Sequence, residues 1–240
     1  MPAESPVSPA LVAWGNAWLL GHVNFDEVID QVRSVAGPTM VDDAPITARL
    51  VDLRLTQGLR EVRLALPAPG DPLGLSGPPE FNAAALDAGQ AVICVLADRN
   101  VGLVPTPDLR GSSYEGTAFT TYPAGPVRAD LPSLAEAERD LTDAMRAATE
   151  ALSSVEGPGQ AHPGRLEAGG ELAPGYPARA HRVSVLAARL ALIVRLADED
   201  VGLTSGQMAT RAEALRHLDR AVRRAIVAAH HAIFEPLRSQ

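Results

Sequence analysis

The 240-residue chain contains no lysine; all 21 of its basic residues are arginine. That absence excludes a P-loop lysine, a Schiff-base lysine for pyridoxal phosphate and a kinase-type phosphate-binding lysine. Cysteine is nearly absent too. The single Cys94 permits no intramolecular disulfide, which fits a reducing compartment, and its place inside the apolar run 91–97 makes it a buried, inert thiol. No apolar stretch reaches the ~18 residues of a membrane span, because Asn16 interrupts one candidate and Arg189 and Arg195 the other. No Lys or Arg stands before Arg33, so the apolar run 10–20 lacks the basic flank of a secretory signal. These absences together place the protein in the cytoplasm, away from the membrane.

Several motifs are missing as well. There is no HExxH, CxxC or GxSxG. His217, His230 and His231 fall on one predicted helix, but the adjacent pair points about 100° apart and His217 lies three to four turns away. The acids Asp198, Glu199 and Asp200 precede Gly202, yet Ala209 stands where a calcium loop needs its glutamate. Neither a metal nor a cofactor is expected. The formal net charge of −8 argues against a generic nucleic-acid binder, whose affinity comes mostly from neutralising phosphates.

What is present is apolar: 46% of the residues, enough to bury a core without metals or disulfides. The abundance of Ala, Arg, Gly and Pro points to a GC-rich bacterial genome. Two helices are predicted over 9–20 and 24–35, the second capped by Asn24 with Asp26 and Glu27 in its first turn. From Pro45 a third helix runs towards Gly58, and a strand follows over 62–66. Pro79 opens a helix through Asp87, Gly89 ends it, and 91–97 reads as a buried strand. Strand, helix and strand in that order predict a right-handed parallel crossover. A turn at Asp98, Arg99 and Asn100 leads into a strand over 101–104, and the segment TPDLRGSSYE reads as a loop before a fourth strand, 116–122.

From Ser133 the pattern becomes helical. Ser133 and Glu136 form a capping box for a helix of about six turns, and 156–178 is a Gly/Pro-rich flexible loop. Two further helices cover 179–197 and 205 to about 234, the last opened by a capping box of Thr204 and Gln207. The apolar stripe of 179–197 is full enough to predict a central, buried helix. The fold expected is therefore α/β or α+β: a mixed α/β part over 1–130, with a small mixed sheet and flanking helices, and a three-helix part over 131–240 that either packs on the sheet or forms its own bundle.

Two segments qualify as candidate sites. The loop 67–82 leaves the end of a predicted parallel strand, where ligands bind in such sheets, with Asp71, Asn82 and Arg99 as polar contacts. On the last helix Arg216, Arg220, Arg223 and Arg224 share one face, available to an anion or a partner unless the acids of the Ser133 helix pair with them. The leading reading is a non-enzymatic interaction or regulatory protein that forms a homodimer through its C-terminal helices, on the strength of its surplus apolar helical surface. A small-molecule-binding protein or enzyme using the 67–82 loop is second, and anion or nucleic-acid contact through the arginine stripe third.

Overall fold

A computed structural model describes residues 7–110, 114–126, 131–153, 170–198 and 205–235. The chain forms two compact units: Met1–Leu131 with Leu172–Pro177 and Ile233–Gln240, and Pro132–Glu171 with Ala178–Ala232.

The N-terminal unit is an α+β arrangement of helices α1 (Val7–Leu19), α2 (Phe25–Ala36), α3 (Ile46–Leu55) and α4 (Pro79–Ala88) with strands β1 (Thr39–Val41), β2 (Ala44–Pro45), β3 (Glu61–Ala65), β4 (Ala91–Val95), β5 (Asn100–Arg110) and β6 (Tyr114–Ala124). The sheet order is β2-β1-β6-β5-β4-β3. It is mixed, with β1 and β6 parallel and its other neighbours antiparallel. Local chemistry sets the helix ends. Asn24 Oδ1 accepts from the Glu27 N–H at 2.9 Å and the Glu27 carboxylate accepts from the Asn24 N–H at 3.0 Å, closing a capping box at the start of α2. Pro79 sits in the first turn of α4, and Gly89 ends that helix in the left-handed region.

Strand β4 organises the core because both of its faces are covered. Ala91 and Ile93 pack with Phe81, Ala85, Leu75, Ala65 and Val104 beneath α4. On the opposite face Val62, in register with Cys94, reaches Gly15 of α1. Phe81 lies against Gly102, where a Cβ would fall 2.3 Å from the ring. The outer edge of β3 is closed by a side chain. Asn16, fully buried, donates to the Val62 carbonyl at 2.7 Å and accepts from the Val62 N–H at 2.8 Å. Its amide thus serves this edge as a neighbouring strand would.

Several expectations are corrected. β3 and β4 are antiparallel, not the two strands of a parallel crossover. The return stroke along the sheet is made by the loop after β3: the Ser76 carbonyl accepts from Gly125 N–H at 2.7 Å, beside Asn100, at the end of the sheet opposite to where β3 finishes. α4 then starts from that end, and β4 must run back against β3. The segment TPDLR is strand, not loop. Pro105 and Pro107 pair with Phe119 and Thr117 of β6, while β4 pairs with β5 only as far as Leu103; on that free edge a missing N–H costs no ladder bond. The short β1 and β2 lie below the length at which alternation is visible.

In the C-terminal unit, α5 (Leu134–Ser153), α6 (Ala178–Asp198) and α7 (Ser205–His231) supply the three helices expected. The capping box of α5 is present, Ser133 N–H donating to the Glu136 carboxylate at 2.9 Å; the hydrogen bonds from Ser133 hold that carboxyl below its ordinary pKa. The central helix is α7, which packs along both α5 and α6 while those two meet only briefly. α6, expected to be central, is not: Leu186, Ile193 and Leu196 are 38, 42 and 47% exposed. Alanines 221, 225, 228 and 229 are buried on α7, and such small residues let neighbouring helices approach closely. Residues 156–169 of the flexible loop expected over 156–178, the Thr204 cap, and Glu199, Asp200 and Gly202 of the acidic run lie outside the described residues; the end of that loop is described, with Leu172, Ala173 and Tyr176 buried and Ala178 already in α6.

Candidate functional site

The residues nominated around the 67–82 loop are each engaged within the protein. Asp71 is buried and bridges to Ala68, their backbones exchanging hydrogen bonds at 2.9 Å. Asn82, in the first turn of α4, donates to the Gly77 carbonyl at 2.9 Å. Arg99, in the β4–β5 turn, donates to Gln57 Oε1 at 2.7 Å, and Gln57 in turn donates to Asp52 at 2.7 Å. Leu73, Leu75 and Ser76 are also buried, so the loop is packed as a connector. The argument from its position fails along with the parallel crossover. Two shallow depressions lie elsewhere, one between α2 and the start of α3 around Val32, Arg33 and Ile46, the other on α6.

The arginine stripe on α7 divides along its length. Arg216 and Arg220 are exposed, whereas Arg223 and Arg224 are half-buried. Arg223 pairs with Asp219 one turn away at 2.9 Å. Of the α5 acids offered as partners for the stripe, Glu138 instead meets Arg179 of α6, and Asp143 pairs with Arg146 on its own helix. His230 is buried, with Nδ1 2.7 Å from the Ile226 carbonyl; burial lowers its pKa to about 4. No cluster of three or more metal-ligating side chains occurs among the described residues.

The surface that stands out is the outer face of α6. Its inner stripe, Ala180, Val183, Ala187, Leu190 and Val194, is buried. On the other side Val185, Leu186, Leu192, Ile193 and Leu196 form a second apolar stripe, half-buried to exposed. Its N-terminal part is a shallow depression lined by His181, Arg182, Val185, Leu186 and Arg189. Arg182 and Arg189 are exposed, and no acidic residue occurs between Ala178 and Ala197. A helix that is apolar all round is normally covered on both sides. The apolar count was legible in the sequence, but which stripe stays open depends on how α6 meets α7. No described helix is long and apolar enough to cross a membrane.

Residues 8–131 match the family model for the N-terminal domain of Rv1486c-like proteins, and 135–227 that for the C-terminal domain. Among curated relatives are uncharacterized protein Rv1486c of Mycobacterium tuberculosis, 32% identical over 190 residues (62% of this chain, 64% of the relative), and uncharacterized protein ML1804 of Mycobacterium leprae, 29% identical over 197 residues (62% of this chain, 66% of the relative). The chain thus spans 64% of the length of the M. tuberculosis relative. No solved structure matches.

Proposed function

Since the chain belongs to the Rv1486c-like family, with both family domains matched, we propose that it is an interaction protein that self-associates through the outer face of α6. The carrying observation is the second apolar stripe on that helix, with Leu186, Ile193 and Leu196 left 38 to 47% exposed. Closed two-fold dimers are the commonest homo-oligomers, and a self-complementary apolar stripe suits one. A 21-residue helix is about 30 Å long and 10 Å wide, so one face offers on the order of 300 Å² per partner. That lies below the ~800 Å² per partner of a standard stable interface, so the dimer is weak, dissociating in the micromolar range.

Sedimentation equilibrium from about 1 to 500 μM tests this. The expected result is a reversible monomer–dimer equilibrium, with Leu186→Glu and Ile193→Glu each raising the dissociation constant at least tenfold. A monomer throughout would sink the reading. Salt separates it from anion or nucleic-acid contact. Two α6 faces bring Arg182 and Arg189 of each copy together, so added salt screens repulsion and tightens the dimer, whereas phosphate contact weakens steeply with salt.

A further inference from the structure

Arg189 lies on the midline of the apolar stripe that covers the outer face of α6. At about 100° per residue, Val185, Leu186, Leu192, Ile193 and Leu196 all fall within about 60° of it around the helix axis, and Arg182 falls about 20° away. It is central along the chain too, as far from Arg182 on one side as from Leu196 on the other. Both arginines are exposed and line the shallow depression with Val185 and Leu186. No acidic residue occurs between Ala178 and Ala197, and among the described residues neither guanidinium has an ion-pair or hydrogen-bond partner.

Self-association through this face, the reading on which the inference rests, turns that placement into a constraint. A two-fold axis parallel to the helices sets every stripe residue beside its own copy. An axis perpendicular to them, through the middle of the stripe, sets Arg182 near Leu196 of the other copy and Arg189 again beside itself. Both arrangements bring the two Arg189 side chains together at the centre of the contact. Packed helices stand about 8–10 Å apart, a gap that two arginine stems lying along apolar surface can span. Two like charges, partly desolvated and with no acid beside them, oppose association unless an anion lies between them. We propose that the paired Arg189 side chains form a binding site for a phosphate dianion, a site that exists only in the dimer. Each planar guanidinium offers parallel N–H donors to two oxygens, so a tetrahedral oxyanion accepts one fork from each copy. Chloride, a single spherical acceptor, does not. Anion binding and dimerisation are then linked, because an anion bound only by the dimer stabilises it.

Sedimentation equilibrium of the full chain at about pH 8 compares sodium phosphate at about 10 mM with sodium chloride at the same ionic strength, so that screening is equal. The expected result is a dimer dissociation constant about tenfold lower in phosphate, the effect of a site whose own dissociation constant is about 1 mM. Arg189→Gln should dimerise in chloride at least as tightly as wild type, since the repulsion is gone, and should gain nothing further from phosphate. Arg216→Gln, which changes an exposed arginine of α7, should keep the phosphate effect. Phenyl phosphate separates the sources of the group: tightening equal to that by inorganic phosphate assigns the site to the free anion, and stronger tightening assigns it to a phosphate ester whose organic part lies on the stripe. Equal dimer constants in phosphate and chloride, or loss of the phosphate effect in Arg216→Gln and not in Arg189→Gln, would overturn the anion site and leave self-association standing. A monomer in both salts would overturn both.

Discussion

Replacing Asn16 with alanine removes a side chain that is fully buried and holds both backbone groups of Val62, at 2.7 and 2.8 Å. The variant leaves one N–H and one C=O at a sheet edge without partners and away from water. Each such group costs about 1–3 kcal/mol, so the loss is about 2–6 kcal/mol. At about 3 °C per kcal/mol for a protein of this size, the melting temperature falls by roughly 6–18 °C. Water entering the vacated space would bring the cost to the lower end of that range. Asn24→Ala is the matched control. Asn24 also makes two hydrogen bonds, both with Glu27, but at an exposed helix start, where a lost cap costs about 0.5–2 kcal/mol. Urea unfolding followed by circular dichroism gives both values. In the Asn16 variant, hydrogen exchange should show Val62 unprotected before the rest of β3. If Asn16→Ala cost no more than Asn24→Ala, the amide would not be closing the β3 edge, and the account of how the N-terminal unit protects that strand would be wrong.

Gly102→Ala places a Cβ 2.3 Å from the Phe81 ring and should destabilise by about 1–3 kcal/mol through overpacking, with Phe81→Leu in the same chain recovering part of the loss in thermal melts. Burial lowers the His230 pKa to about 4, below the 6.5 of the unfolded chain, so the unfolded state takes up a proton between pH 6.5 and 4 that the folded state excludes. The stability this group contributes above pH 6.5, on the order of 3 kcal/mol, is lost as the pH falls through that window; His230→Gln should flatten the dependence in denaturant titrations from pH 7 to 4, and an unchanged slope would count against it. Burial also pushes the Cys94 thiol up to about 12; native protein should not react with a thiol reagent at pH 8, and reaction should appear at the rate of unfolding.

Where a few neighbouring residues decide a feature, the sequence alone determined it. Asn24 with Glu27 and Ser133 with Glu136 mark helix starts through bonds made within one turn, Pro79 and Gly89 mark the ends of α4 through their own backbone preferences, and the apolar run 91–97 read as a buried strand, which β4 is from Ala91 to Val95. The missing lysines and the single cysteine excluded whole chemistries without any structure. Tertiary structure decided what depends on partners distant in the chain. The strand that runs beside β4 was legible, but not its direction, because the segment after β3 carries the chain back along the sheet before α4 begins. The segment from Thr106 to Arg110, with Pro107 in it, read as a loop until β4 proved to end its pairing at Leu103 and free that edge. Asp71, Asn82 and Arg99 looked available only while their neighbours were unknown. Asn16, a single polar residue that merely interrupted an apolar run, became the closure of β3 once Val62 and Tyr176 arrived from 46 and 160 positions away. The apolar surplus of α6 was visible in the sequence; its open face was set by packing, since a helix with two apolar stripes buries whichever one its neighbour meets.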